Sequence, residues 1–354
     1  MVPRRGARRG FALAATAVCL PVMISAAGLV IDAGRLLAAK SELQAFADAA
    51  ALAAASELDG TMAGLDRARA VALSGPVAGG ASNRWQFSTQ PVSGVRGEFA
   101  RAPAGPFEAF PASASNYRFV RVAAGGEVSL YFLPILPGIG SRQPVRASAV
   151  AGQARQTSLG AGLAPFSPDA HDPSDPDFGF TPGEKYTLKW APHGQRKHGN
   201  VCPGDEDFEP AGGASDRGFL DLGQGNGNRA LHNVIVNNDF YLPSPYSIGT
   251  LVDHVPGNKH VGPAMEERFG QDTDTSAASY AAYDGNGRRL LTVAVNDHTD
   301  PGRVIGFALF FMPPQACGTK NSDPCCAEYV GPAVAGSRRA GAGEAGLYTV
   351  RLFQ

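Results

Sequence analysis

The chain has 354 residues, a net charge of −1 and only 18% charged residues, with 44 glycines and 27 prolines. That length holds one large domain or two modest ones, and so much glycine and proline favours turns, short strands and loops over a helical bundle. A near-neutral chain offers no electrostatic footprint for a nucleic-acid backbone, so no nucleic-acid partner is expected.

The one local charge asymmetry is at the start. Arg4, Arg5, Arg8 and Arg9 crowd residues 1–10, and an uncharged run, FALAATAVCLPVMISAAGLVI, fills residues 11–31. About 20 apolar residues in a helix cross a hydrocarbon core of roughly 30 Å. The arginines before the run and Asp32 after it predict a cytoplasmic tail over 1–10, a span over 11–31, and the bulk outside. Pro21 is compatible with a span if the freed carbonyl finds another donor. A cleaved signal peptide needs a shorter apolar run and a small-x-small site, for which Ser25–Ala27 would serve. A buried soluble helix would leave the arginines without a role. Cys19 makes a poor lipid-attachment site, because it follows Val18 in mid-span.

Residues 32–59 continue as a helical stalk. Alanine and leucine are strong helix formers, no proline interrupts, and Gly60 supplies a stop. Ala39, Leu43, Phe46, Ala50 and Ala53, spaced 4, 3, 4 and 3, form a narrow apolar seam. Lys40, Gln44 and Asp48 make a polar row beside it. Small residues on such a seam admit a neighbouring helix, as in a homo-oligomer, or equally the chain's own domain.

Together these residues resemble the amino-terminal signature of the TadE/TadG-like Flp (tight-adherence) pilus-assembly proteins. The shared pattern is an apolar span ending in Gly-x-x-x-Asp-x-Gly-Arg, then a Leu-Gln pair and an Ala-Asp-Ala-Ala-x-Leu-Ala-Ala run. Here it falls on Gly28, Asp32, Gly34, Arg35, Leu43, Gln44, Ala47, Asp48, Ala49, Ala50, Leu52, Ala53 and Ala54. The resemblance implies a non-enzymatic bacterial envelope protein, anchored once in the inner membrane. It also implies that its partners are other pilus-assembly proteins or pilins. Pilins cleaved by a prepilin peptidase generally carry glutamate at the fifth position after the glycine. After Gly10 that position is Ala15, which favours the permanently anchored, TadG-like side.

Residues 60–159 read as a small helix-plus-strand region: a short helix over 61–74, then strand-like runs at 84–90, 117–123, 127–136 and 144–154. SLYFLPILPGI (129–139) is apolar, but its prolines make it a strand leading into a loop rather than a second span. Residues 160–354 read as a β-rich exported domain. Strands are expected at 185–190, 288–297, 303–312 and 346–354, and helices at 230–238 and 262–270. This part resembles the carboxyl-terminal domain of some TadG-like proteins. The class expected is α+β: a long transmembrane and stalk helix followed by a mostly-β exported region.

No segment presents a catalytic or cofactor pattern. GQGNGN (223–228) lacks the third glycine of a dinucleotide fingerprint and the G-K-[ST] of a phosphate loop, so a tight turn is expected. Asp253, His254, Asn258 and His260 surround a Pro-Gly turn rather than a ligand spacing. His193 and His198 sit in a basic loop without a carboxylate pattern. The acidic clusters at 169–177 and 205–209 lack EF-hand order. They leave a membrane-tethered carbohydrate- or calcium-binding domain as the alternative function. Cys202, Cys317, Cys325 and Cys326 all follow the span, where an oxidising compartment permits disulfides. A bond between adjacent Cys325 and Cys326 is strained, so Cys202 is expected to pair with one partner and Cys317 with another. A C-x7-C-C metal cluster is the competing reading.

Overall fold

The computed structural model describes residues 7–74, 84–85, 90–135, 138–196, 200–213, 215–225, 227–237, 241–257, 259–318, 320, 322–334 and 347–353. Arg4, Arg5, His198 and Asn258 lie outside them. The chain is α+β. A long apolar helix leads into two sheets of four and five strands and two small strand pairs.

Helix α1 (Ala7–Ser56) is one element of 50 residues running through Pro21, about 75 Å at roughly 1.5 Å per residue. Span and stalk are therefore continuous. Helix α2 (Met62–Ser74) follows the break at Gly60. Its start is capped: the Thr61 hydroxyl accepts the Gly64 amide at 3.0 Å, and Asp59 accepts the Thr61 amide and hydroxyl. Arg67 joins the two helices by ion pairs to Glu57 and Asp59.

After the two-residue pair β1 (Arg84–Trp85) and β2 (Gln90–Pro91) come β3 (Ser93–Ala100), β4 (Phe119–Ser129) and β5 (Arg142–Arg155), which form an antiparallel meander. In β5, Val145, Ala147, Ala149 and Ala151 are buried while Arg146 and Ser148 are exposed. This is the period-2 alternation that covers one face of a sheet. The covering element is α1. Ala47, Ala50, Ala51, Ala54 and Ala55 pack with Val120, Val122, Ala149 and Ala151, and nearer the span Ala39 and Leu43 pack with Ala124, Val128 and Val145. Methyl side chains let the helix approach the sheet closely, which is why an alanine-rich sequence serves here. The far end of α1 is closed by Gln153, fully buried on β5, whose Nε2 donates to Ala55 O at 3.0 Å and Leu58 O at 2.7 Å. Ala55 O belongs to the last turn, whose carbonyls lack an intrahelical partner, and Leu58 O lies just beyond it.

The second body begins with β6 (Ser158–Ala161) and β7 (Lys185–Lys189) and continues through α3 (Asn228–Val236), β8 (Tyr241–Ser247), α4 (Gly262–Gly270), β9 (Leu290–Asn296), β10 (Val304–Phe311) and β11 (Cys325–Tyr329). Its sheet has the order β7-β11-β10-β9, and β6 pairs separately with β8. Phe166, Phe178, Phe180, Tyr186, Phe219, Phe310 and Tyr329 fill the core. Two fully buried arginines brace the edge. Arg268 donates to the carbonyls of Arg288, Ile235 and Leu290, and Arg289 to those of Met312, Asp274 and Ala277. Carbonyl acceptors on several sides take up the guanidinium donors, with the buried Asp272 carboxylate nearby.

Both expected helices of this body form, as do the strands at 185–190, 288–297 and 303–312. The boundary at 159/160 needs revision. β12 (Ala333–Val334) lies parallel to β13 (Leu347–Phe353), and β13 pairs antiparallel with β5 from Tyr348↔Arg155 to Phe353↔Val150. The last strand therefore returns to the first sheet, because β5 would otherwise leave open backbone groups beside a buried face. Leu347 and Tyr348 are buried, and the rings of Phe353 and Phe119 meet edge-on at 5.1 Å.

Cys202–Cys326 ties the segment before α3 to β11, and Cys317–Cys325 closes a short loop. By chain entropy, the first, spanning 124 residues, stabilises by about 5 kcal/mol, and the second, spanning 8, by roughly 2–3. Non-reducing peptide mapping should recover these two pairs, and four free thiols would contradict them. Replacing Gln153 with leucine should lower stability by about 1–3 kcal/mol in urea unfolding, since two buried carbonyls lose their donor. An unchanged midpoint would show that those carbonyls are satisfied otherwise.

Candidate functional site

The residues of the amino-terminal pattern converge on one place, the junction between α1 and the loop that follows β4. Asp32 is fully buried. Its carboxylate accepts the backbone amides of Tyr131 at 3.1 Å, Phe132 at 2.7 Å and Leu133 at 2.7 Å, across about a hundred residues of chain. Burial opposes the charge, but the amides of Leu133, Tyr131 and Phe132, with the nearby Arg35 guanidinium, outweigh it. The carboxyl is held below its ordinary range.

One helical turn earlier, Gly28 lies against Phe132. A Cβ there would fall 2.3 Å from the ring's Cγ, so no larger residue fits without displacing it. Arg35, on the same side, sets its guanidinium 4.5 Å from the centre of the Tyr131 ring. Gly28, Asp32 and Arg35 thus form one face of α1 that grips three consecutive loop residues. Gly34 is exposed and meets nothing within 4 Å.

The rest of the pattern continues up the helix. Leu43 and Ala50 are fully buried against the sheet, Phe46 packs between the two alanine clusters, and Ala53 is half-buried at their margin. Gln44 donates to Asp48 at 2.7 Å and to Ser148 O at 3.1 Å, so the polar row also binds the helix to β5. Lys40 and Gln44 form one wall of an open cleft of about 680 Å³, with Gly125, Gly126, Arg146 and Ser148 opposite. The seam expected to admit either a neighbouring helix or the chain's own domain is covered by its own sheet. The exposed face of α1 carries Ala33, Leu37, Ser41 and Ala45 instead.

Residues 10–57 match the family model of TadE/G-like Flp pilus-assembly proteins. Over these residues the helix is similar to a TadE/G-like segment. The match ends within one residue of α1 and takes in every gripping residue of its junction face. No curated protein and no solved structure matches the chain.

Beyond the TadE/G-like segment, several of the polar groups bond to other parts of the chain, near and far in sequence. Residues 223–225 turn ahead of α3, with Gly223 at φ +85° and Gly225 at φ +87° and the Gly223 amide donating to Asp221. Asp169 accepts the Ala211 amide, Asp172 that of Ser174, and Asp177 the Tyr329 hydroxyl. Asp205 lies 2.7 Å from His171 and accepts the Thr187 amide. Among the described residues, no three His, Cys, Asp or Glu side chains converge as a metal site would require. His254 faces Asp216 at 3.2 Å, a contact across 38 positions that the local turn pattern did not suggest.

Two sequence signals were available for the junction but lay far apart: an acid at the end of the apolar run, and an apolar loop with no evident partner. For the other end of the helix the signal was Gln153, an amide set among small residues near the end of β5.

Replacing Asp32 with alanine leaves three part-buried amides without that acceptor. It should cost about 1–3 kcal/mol in thermal unfolding of the full chain. Gly28→Leu should also destabilise by displacing Phe132, whereas Gly34→Ala should be near neutral. Equal losses at both glycines would contradict the junction. Burial opposes protonation of His254, but the Asp216 contact and nearby acids outweigh it and raise its pKa. For Asp216, burial is likewise outweighed, by His254 and the Gly218 amide, and its pKa falls. The pair therefore stabilises fully between the ordinary pKa values of Asp and His. It is lost as pH rises through the folded His254 value or falls through that of Asp216. His254→Gln should lower the melting temperature more at pH 6 than at pH 9, and equal losses would dissociate the pair from stability.

Proposed function

We propose that the protein is a non-enzymatic component of a Flp-type pilus-assembly system. In this reading it is anchored by α1 in the inner membrane, with residues 1–10 in the cytoplasm and the sheets on the far side. The supporting observation is that the TadE/G-like match and α1 coincide. Over residues 13–31 that helix presents its apolar side chains outward: Leu13 is 74% exposed, Val30 71% and Met23 69%. Among the described residues it is the one helix long and apolar enough to cross a membrane, with a mean hydropathy of 2.2 over its best 18-residue window. Two cysteine pairs at bonding distance suit an oxidising compartment beyond that membrane.

In the same reading, partner subunits meet the outer face of α1, because the inner face is occupied by the sheet. Leu37 is 69% exposed at the centre of that face, with the small residues Ala33, Ser41 and Ala45 around it. Small side chains on an exposed helix face permit close approach of a second helix.

Leu37→Arg should reduce co-purification of partner subunits by about tenfold, the effect of losing about 1.4 kcal/mol, without changing the melting temperature. Ala50→Arg should instead unfold the helix–sheet contact. Reduced partner recovery only in the unfolding variant would remove the outer face from the interface. Protease added to spheroplasts should digest the sheets and the part of α1 packed on them, and spare residues 11–31. Protection of the sheets would overturn the topology.

A further inference from the structure

We infer that the loop after β4, at Tyr131, Phe132 and Leu133, is itself a membrane-docking element, lying in the outer boundary of a phospholipid bilayer beside α1. The inference rests on the anchor reading above and adds a second point of contact. Its basis is depth along the helix. Phe132 packs on Gly28, and Gly28 lies three residues inside the end of the uncharged run, about 4.5 Å below Ile31 at roughly 1.5 Å per residue. A side chain held at that level beside a bilayer-spanning helix is held at the level of lipid.

The chemistry of the loop fits that position. Tyr131 is 63% exposed, and Phe132 and Leu133 are half-buried, in the sequence Leu-Tyr-Phe-Leu-Pro-Ile. In water, such a run of apolar residues at a strand end is costly. At a bilayer boundary it is favourable, with tyrosine's ring in the headgroup zone and its hydroxyl towards water. Backbone amides are the obstacle to placing a loop there, because lipid supplies no acceptor. Asp32 removes that obstacle for Tyr131, Phe132 and Leu133. Arg35, over the Tyr131 ring, sets a cation at the height of lipid phosphates. A comparable exposed ring, Phe110 (79% exposed), lies beside Arg69 of α2 instead.

The test uses the unmodified full chain reconstituted in bilayers of phosphatidylethanolamine and phosphatidylglycerol, doped with a lipid bearing a photoactivatable diazirine in its acyl chain. After illumination, adducts should map by mass spectrometry to residues 130–135 as well as to the span, and not to the Phe110 peptide. A labelled span with an unlabelled loop overturns the inference and leaves the anchor standing. No label in the span overturns the anchor reading with it. A second measurement places a nitroxide at Tyr131→Cys or Phe110→Cys in a Cys19→Ala background. Oxygen should relax the label at 131 more than a water-soluble nickel chelate does, with the order reversed at 110. Chelate accessibility at 131 equal to that at 110 overturns the inference.

Discussion

A buried carboxylate must be fully supplied with donors, and here Asp32 obtains them from three successive amides of a loop about a hundred residues away. That requirement fixes α1 in two respects. The helix cannot rotate without stripping the carboxylate of its partners, and it cannot slide without driving Gly28 past Phe132. Gln153 imposes a matching constraint at the other end, holding the carbonyls of Ala55 and Leu58. With both ends fixed, the alanine seam between them faces the sheet along its whole length. The helix is thus both the apolar rod and one layer of the first domain's core, with no hinge between the two roles.

The return of β13 extends the same rigidity to the second body. A chain of beads would let the 185–330 sheet swing about the segment after β5. Instead, the chain's last described strand, entering from the second body, pairs with β5 on the sheet that α1 covers. β6, immediately after β5, pairs with β8 of the second body. The two bodies are therefore joined by strands at two places. Within the second body, the 124-residue link between Cys202 and Cys326 shortens the longest excursion between paired strands.

Much of this was legible in the sequence because it depends on local pattern. Alanine content and the absence of proline after residue 31 announced α1. Val145, Ala147, Ala149 and Ala151 alternated as a half-buried strand must, and the strain of a vicinal bond excluded Cys325–Cys326. The strands that escaped notice were those whose composition argues against them. β3 contains two glycines, β8 contains two prolines, and β11 begins with two cysteines. In each case tertiary pairing overrode weak local preference. The junction was half legible. Gly28, Asp32 and Arg35 stood out as a pattern, but the reason for it lay in Tyr131, Phe132 and Leu133. No periodicity connects two segments a hundred residues apart.

The choice of a carboxylate at position 32 has a physical reason beyond hydrogen bonding. Asparagine could accept from the same amides, at a smaller desolvation cost, and serine could accept from one of them. A charged acceptor resists entry into hydrocarbon more strongly than either, at about 2.5–3.5 kcal/mol for an acidic residue at mid-membrane. In the anchor reading proposed above, Asp32 sets a depth stop on the helix and holds the loop at the same level. Any motion that pushed it inward would bury the charge further, and any motion that pulled it from the loop would orphan three amides. The two penalties oppose displacement in different directions, so the boundary between rod and domain is defined by one side chain.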